Sequence, residues 1–597
     1  MVPRQSKWSL YWMARHKPYW IVILTGLLLA ASFPPSPANF LIFVAFVPLF
    51  ILFETEVVPE RVPEDKIFRP FKSSVTVLFR IATLQFLWRR ATRFGKVFSY
   101  RRKVISGNAQ LFRYSYTIFL IWNLLCCYWL VFTVAGAGSL REVLVSTVAG
   151  ILALMINPAL MSIPFQFFSR MRWILPPTLA PLSLIVFWIS FEYLHLNWDL
   201  SWSWLNLGHA LTPWPQLIQY AEFTGVLGIT LHILLVNYLF YRLYRRLTHK
   251  QGKLLPPLVV ALAWLLLPLG LNLLILNPDR AVFQPSGSLN VRVVQPNIDP
   301  YLKRNYYTPE NQVEHLVELS LQDPLDSIDL LVYPETAIPR PIEDSSIVYS
   351  RLMRPMWALV DSFQLDILTG VESFHVYPDG EEVPGNARQT IRGEWIENFN
   401  AAVALKGDRN LDLYAKTKLI PLVEAVPFPR FLDFLDVFGF SSDILSYGTQ
   451  DSIVNLSTSS GKEIGVMICY DSEFGEHVTR STQNGAELLA IITNDGWWGN
   501  TSGYIQHAYM TSLRAIENRR AIVRSANTGI SLFADVKGYL GEETQFWEEA
   551  VIDQEVNLYQ GETFYMKHGD YLGRIALLLT LIISVLGIAW TFFGPRR

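Results

Sequence analysis

Apolar runs long enough to cross a bilayer fill the first part of this chain and recur at its C-terminus, with one long polar stretch between them. A helical span needs about 20 such residues, because the bilayer core offers no water to satisfy an exposed backbone. Runs near 19–33, 38–53, 114–134, 143–162, 179–195, 224–243, 256–277 and 571–593 are read as spans. The first two are short and suggest a tight pair around Phe33-Pro34-Pro35. The N-terminus also has the charged-then-apolar shape of a signal peptide, and Ala30-Ala31-Ser32 imitates a cleavage site. The apolar run that follows almost at once favours a retained helix. A hydrophobic content of 51% and a mean hydropathy of +0.25 agree with a membrane chain.

Charge placement predicts orientation, because Lys and Arg collect in cytoplasmic loops. Arg4, Lys7, Arg15 and Lys17 precede the first run, and residues 66–103 hold eleven Lys/Arg with no Asp or Glu. Arg170, Arg172, Arg242, Arg245, Arg246, Lys250, Lys253, Arg596 and Arg597 fall on the same side of an eight-span arrangement. The alternate connections are poor in cations, with none in 196–223 and only Arg141 in 135–142. Both termini are therefore expected in the cytoplasm and the polar stretch outside it. The expected organisation is a transmembrane domain over 1–278 with a basic cytoplasmic insertion near 54–112, an extracytoplasmic domain over 279–569, and a final helix over 570–597. The insertion suits either an ordinary basic loop or a segment lying on an anionic leaflet. Its charge alone carries no nucleic-acid motif, and no nucleic-acid partner is expected.

The polar stretch alternates β-rich and helical segments, the pattern of a layered α/β fold. Strands are predicted at Leu289–Val294, Leu330–Tyr333, Asp366–Gly370, Ala401–Leu405, Ile464–Cys469, Leu488–Thr493, Ala521–Ser525 and Gly529–Ala534. Helices are predicted at Pro309–Leu321, Ser346–Phe363, Phe474–Asn484 and Gly503–Asn518.

Three segments of this stretch deliver an ionisable side chain at or just beyond an apolar run: Glu335 between Pro334 and Pro339, Lys416 before Pro421, and Cys469 closing Gly465–Cys469. Ligands gather at the C-terminal ends of strands in open α/β sheets. A thiol of ordinary pKa, about 8.5, is mostly protonated at neutral pH and needs a base, which Glu335 supplies. Attack on a carbonyl places negative charge on oxygen, which a fixed ammonium at Lys416 stabilises. Taken singly, each has a plainer reading: a small buried hydrophobe, a surface carboxylate, a solvated lysine. Together they form a set for acyl transfer through a covalent intermediate. The other cysteines, Cys126 and Cys127, lie in an apolar run. No metal site or cofactor is expected, since His195, His209, His232 and His507 lack ligand spacing and no phosphate-binding glycine loop is present.

Pro334-Glu335, Lys416 with Glu424, and Cys469-Tyr470 resemble the Glu–Lys–Cys signature of the carbon–nitrogen hydrolase (nitrilase) family. With the apolar helices, the chain resembles the membrane-bound apolipoprotein N-acyltransferase branch of that family over nearly its whole length. The stretches 414–427, Thr493-Asn494-Asp495-Gly496-Trp497-Trp498-Gly499, and His507 through Ile530 carry this resemblance. It implies a nitrilase-like α-β-β-α sandwich on about eight transmembrane helices in a bacterial inner membrane, with the sandwich on the periplasmic side. It also implies passage of a phospholipid sn-1 acyl chain to Cys469, then to the α-amine of a diacylglyceryl-cysteine on a lipoprotein, in ping-pong order. Glu335 corresponds to the base, Lys416 to the oxyanion-side cation and Cys469 to the nucleophile. Glu424, Tyr470, Asp471, Asn494 and Trp497 correspond to supporting positions.

The chain departs from that pattern at Leu422-Val423, where the family has Phe-Gly, and at Asp471, where Glu is usual. A Trp expected soon after Ile298 is missing, and Arg304, Asn305 and Tyr306 occupy its neighbourhood. The Phe-rich segment Val426–Tyr447, with Phe428, Phe431, Phe434, Phe438 and Phe440, suggests an arm that contacts lipid. Trp198, Trp202, Trp204 and Trp214 suggest an interfacial aromatic belt. Two rivals remain at this point: a tethered small-amide hydrolase, which needs no lipid-facing helices, and an inactive membrane receptor, which has no use for all three reactive residues.

Overall fold

The computed structural model describes residues 5–55, 98–132, 140–171, 175, 180–250, 252–303, 307–425, 427–428, 447–450 and 452–593. Phe431, Phe434, Phe438, Phe440 and residues 304–306 lie outside these, as do residues 56–97 of the basic insertion.

Helices Gln5–Ala31, Val47–Thr55, Phe98–Cys126, Leu140–Met161, Ile163–Met171, Ala180–Leu196, Ala221–Thr248 and Leu255–Ile275 precede the sheets, and Tyr571–Phe593 follows them. Among the described residues four stretches are long and apolar enough to cross a membrane: Thr147–Ser169, Ala221–Thr248, Leu255–Ile275 and Tyr571–Ala589. Pro18–Ala31, Asn39–Leu52 and Ala180–Leu196 are shorter apolar helices. Leu255, Leu273 and Leu274 present bare apolar side chains outward, as a lipid-facing helix does.

Between them, fourteen strands lie among the described residues. The first sheet contains β1 (Pro285–Gln295), β2 (Leu330–Val332), β3 (Ile338–Glu343), β4 (Asp366–Tyr377), β5 (Arg388–Gln389), β6 (Trp395–Leu405) and β7 (Asp412–Ala415). The second contains β8 (Leu456–Ser457), β9 (Glu463–Ile468), β10 (Leu488–Thr493), β11 (Ile522–Ala526), β12 (Leu532–Ala534) and β13 (Leu540–Glu543). β14 (Ala550–Tyr559) returns to pair antiparallel with β1, giving the order β14-β1-β2-β4-β6-β5 opposite β13-β12-β11-β10-β9-β8.

The alternating faces of these strands explain the layers. Val291, Val293, Val332 and Leu368 of the first sheet meet Val466, Ile468, Ala490 and Ile492 of the second in one buried cluster. The opposite face of the first sheet buries Leu331, Ile367 and Val403 under helices Pro309–Ser320 and Arg354–Phe363. Met467, Leu489 and Ile491 lie under Gly475–Gln483 and Ser502–Asn518. The result is an α-β-β-α sandwich.

The boundaries differ from expectation in places. The helix expected from Ser346 begins at Arg354, after two short 3-10 turns, and Pro355 occupies its first turn. The strand expected from Gly529 begins at Leu532.

The sandwich is locked onto the helices by buried polar contacts. Arg519 Nε donates to Glu222 Oε2 (2.6 Å) and Nη1 to Gln219 Oε1 (2.8 Å), while Gln219 Nε2 donates to the Lys537 carbonyl (2.8 Å). Trp204 Nε1 donates to Gln506 Oε1 (2.6 Å), and Gln506 Nε2 to the Pro34 carbonyl (2.8 Å). Trp129, Trp204 and Trp498 pack ring on ring, with centroids 4.7 to 5.3 Å apart. The aromatic belt reading is thus corrected for Trp204, which is buried at the junction, whereas Trp198 and Trp214 stay exposed.

Candidate active site

β2 ends at Val332, and the chain turns so that Glu335 is buried rather than exposed. The turn demands close approach. The Gly370 N–H bonds the Pro334 carbonyl, and a Cβ on Gly370 would lie 2.6 Å from both Pro334 O and Thr336 N. Thr336 takes a left-handed φ of 48°, a conformation costly for a β-branched residue unless its surroundings hold it there. Gly370→Ala must therefore push backbone against backbone and move Glu335. Since a misplacement of about 1 Å costs about a hundredfold in rate, any reaction at this site that depends on Glu335 is expected to slow that far, read as the rate at which a reactive ester modifies the intact protein in mass spectrometry.

Lys416 follows β7 and is fully buried, its N–H on the Asn400 carbonyl. Its Nζ donates to Glu424 Oε1 at 2.8 Å and lies 3.7 Å from Glu335 Oε1. Asn400 Nδ2 in turn donates to Glu335 Oε1 at 2.7 Å. Asn400 thus serves both neighbours; the sequence reading missed it, although a buried amide within the apolar run of β6 was a visible signal. Burial alone would lower the Lys416 ammonium, but Glu424 and then Glu335 reverse this and hold it above its ordinary value, permanently charged. Burial raises the Glu335 carboxyl, with Lys416 opposing.

Cys469 follows directly on β9 and opens a 3-10 turn, Cys469–Glu473, at a left-handed φ of 49°. A strained strand-to-turn corner of this kind presents a nucleophile at the end of a sheet. Burial pushes the thiol well above its ordinary value, Glu335 adds to this and Lys416 opposes it. Burial thus favours the neutral thiol at Cys469, with the Glu335 carboxyl and the Lys416 ammonium in its surroundings as groups able to exchange a proton with it.

Asp471, the shorter residue, closes the corner all the same. Its Oδ1 accepts from the Lys418 and Thr417 N–H groups (2.7 and 3.3 Å). Its Oδ2 accepts from Tyr414 OH and the Ile468 N–H (2.9 and 3.1 Å). This one carboxylate ties the lysine loop to the cysteine corner. An amide would turn an N–H toward donors, and a lost charged hydrogen bond costs about 1.5–3 kcal/mol. Asp471→Asn is expected to lower the thermal midpoint in a melting experiment and, by loosening the corner, to slow modification of Cys469 by a reactive ester.

The other expected residues fall as follows. Glu424 Oε2 accepts from the Ile420 N–H (2.8 Å), and Leu422 takes a left-handed φ of 67°, so the altered loop still places Glu424 on Lys416. The Tyr470 hydroxyl donates to the Ser201 carbonyl (2.8 Å), and its ring packs with Phe474 against Leu196, the end of an apolar helix. Asn494 accepts from Asn527 Nδ2 (3.1 Å), which also donates to the Ile298 carbonyl, so it joins the strand ends. Trp497 is 40% exposed and meets Tyr301 edge on, 5.2 Å between centroids, so an aromatic ring does follow Ile298. The Phe428 N–H bonds Asp199 Oδ2 (2.9 Å) and its ring lies 6.0 Å from that of Trp198.

Comparison with known proteins covers both halves. The family described as Carbon-nitrogen hydrolase matches residues 290–564, and that described as Apolipoprotein N-acyltransferase N-terminal domain matches residues 66–239. The apolipoprotein N-acyltransferase of Chlorobaculum tepidum is 28% identical over 95% of this chain and 96% of its own. That of Geobacter metallireducens is 29% identical over 68% and 74%. That of Thermotoga maritima is 28% identical over 72% and 76%. Among solved structures, Saccharomyces cerevisiae Nit3, of the nitrilase superfamily, is 16% identical over 46% of this chain and 91% of its own, with a TM-score of 0.32. An amidase from Nesterenkonia sp. is 15% identical over 49% and 97%, also with a TM-score of 0.32.

Proposed function

Because this chain belongs to the apolipoprotein N-acyltransferase family, we propose that it takes the sn-1 acyl chain of a phospholipid onto Cys469 as a thioester and passes it to the α-amine of a diacylglyceryl-cysteine on a lipoprotein. The observation that carries this reading is the contact made by Tyr470. The residue after the thiol packs on Leu196 at the end of an apolar helix, so the cysteine corner sits directly against the apolar helices. A small-amide hydrolase has no need of that placement.

In the first step Glu335 takes the thiol proton as sulfur attacks the ester carbonyl, and Lys416 faces the oxygen that gains charge. The proton then goes to the departing glycerol oxygen. In the second step the amine attacks the thioester, and sulfur leaves. Glu424 holds Lys416 in place, and Asp471 holds its loop. We read residues 1–278 as the membrane domain, 279–569 as the catalytic domain on the periplasmic side of a bacterial inner membrane, and 570–597 as a closing helix. Eight spans with both termini cytoplasmic follow from the cation distribution. Phe428, Phe431, Phe434 and Phe438 form the arm that meets lipid. Its base is tied to Asp199 and Trp198 of the connection beside the site.

Incubation with a phospholipid is expected to add one acyl mass, labile to hydroxylamine and discharged by a diacylglyceryl-cysteine peptide. An unmodified protein under turnover conditions would overturn the thioester mechanism.

A further inference from the structure

The proposed reaction has a proton to dispose of. Forming the thioester breaks a C–O bond and makes a C–S bond, and the thiol proton leaves on the alcohol, so none is left over. Forming the amide makes a C–N bond and breaks C–S. The acceptor's amine, with a pKa of about 8, arrives protonated near neutral pH. Of the two protons its nitrogen gives up, one returns to sulfur and one must leave a buried site.

Beneath the cysteine corner lies a line of buried polar groups that the acyl-transfer steps do not use. Thr493, whose side chain lies beside that of Cys469, donates from Oγ1 to Asp495 Oδ1 at 2.7 Å. The same oxygen lies 3.0 Å from His507 Nδ1. Ser472 Oγ donates to the Cys469 carbonyl (2.8 Å) and meets His507 Nε2 at 3.1 Å. Glu473, fully buried, accepts from Ser203 Oγ (2.7 Å), while its Oε1 lies 3.7 Å from His507 Nε2.

His507, Thr511 and Arg514 then follow one another along a single helix face, at i, i+4 and i+7. Arg514 Nη1 lies 3.1 Å from Glu517 Oε2. Arg514 Nη1, Glu517 Oε2 and Tyr565 OH converge on Gly475, all within 2.8 Å of where a Cβ would stand. Tyr565 OH donates to Asp570 Oδ1 (2.7 Å), the Asp570 N–H bonds Glu476 Oε2 (3.0 Å), and Glu476 pairs with the half-exposed Arg574 (3.1 Å).

Several buried atoms on this line have no hydrogen-bond partner among the described residues: Glu473 Oε1, Thr511 Oγ1, and Arg514 Nε and Nη2. Each such group costs about 1–3 kcal/mol unless something satisfies it, and a polar seam of this kind is where buried water resides.

We propose that this seam, with water completing it, carries the acceptor's proton from beneath Cys469 to the surface at Glu476 and Arg574. The proposal rests on the acyl-transfer reading above. The ionisation of the line suits the task. Burial pushes Glu517 up to about 8 and Asp570 up to about 6. Burial also raises Glu473, which is faced by the cations Arg514 and Arg524, by the His507 ring and by Tyr470.

Glu473→Gln keeps the shape and an acceptor for Ser203 but removes the carboxylate; Thr511→Val removes a water-holding hydroxyl without changing volume. The two half-reactions are timed separately, acylation by a phospholipid and discharge by a diacylglyceryl-cysteine peptide. Acylation is expected to stay within about twofold of wild type, while discharge slows about tenfold or more at about pH 6. The defect should close at about pH 9, where the acceptor arrives neutral and no proton has to leave. Equal slowing of both half-reactions, a discharge defect that is the same at both pH values, or wild-type discharge in both variants would overturn the proposal. Failure of the wild-type protein to form any acyl adduct would instead remove the reaction on which it rests. If Glu473→Gln does not fold, Thr511→Val alone decides.

Discussion

Cys469→Ala is expected to abolish the acyl adduct and to lower transfer to the peptide acceptor by about 10⁶-fold, the scale on which removal of a covalent nucleophile acts. The substitution takes away only a sulfur atom from a corner whose geometry is fixed by other groups. Asp471 still holds the Ile468 and Lys418 N–H groups, and Ser472 still caps the backbone carbonyl at this position. The thermal midpoint should therefore move by no more than a few degrees while activity vanishes. A variant that retained more than about a thousandth of the wild-type rate would mean that the acyl group passes directly from lipid to amine. Cys126 and Cys127, buried among the helices, supply no substitute thiol, and their conversion to alanine should leave the adduct in place.

Lys416→Met is expected to fail in both respects at once. Lys416 is a fully buried ammonium between Glu424 at 2.8 Å and Glu335 at 3.7 Å. Methionine fills the same space and leaves two carboxylates facing one another with no cation. Breaking a buried pair in this way costs about 3–5 kcal/mol, so a fall in thermal midpoint should accompany the loss of activity. The chemistry suffers separately. Removal of a group that stabilises the oxyanion costs about 10²–10³-fold, and without the cation Glu335 is less able to stay ionised as a base. Pairing Lys416→Met with Glu424→Gln removes one of the stranded charges. This should restore part of the stability and none of the rate, which separates the two roles.

The reactive residues were legible because each stood in a context that composition alone does not produce. Glu335 and Lys416 had prolines beside them, and Cys469 ended an apolar run followed by polar residues. The layered fold was legible from period: eight predicted strands and four predicted helices all exist, with shifted ends. What could not be read was chiefly pairing across distance. β3 and β14 alternate too weakly to stand out, and β14 exists because β1 offers it an edge along ten paired positions. Asn400 looked like an ordinary strand residue until folding brought it to Glu335, sixty-five positions away. Asp495, His507 and Arg524 were visible only as parts of familiar stretches, and their mutual hydrogen bonds depend on two strands and a helix meeting. The aromatic residues of 198–214 looked alike in sequence, yet Trp204 is buried against Trp129 and Trp498 while Trp214 is not.

The sandwich is fastened to the helices at many points, through Arg519 on Glu222 and Gln219, Gln506 on Pro34, and the helix that leaves from Asp570. A body held this firmly has little freedom to swing out and collect substrates. On the proposed reaction, encounter then belongs to the lipids themselves, diffusing in two dimensions toward a stationary corner. For such an enzyme the relevant concentration is a mole fraction in the membrane plane rather than a molarity. Diluting the donor with inert lipid at constant bulk amount should slow turnover, and adding more vesicles of the same composition should not speed it.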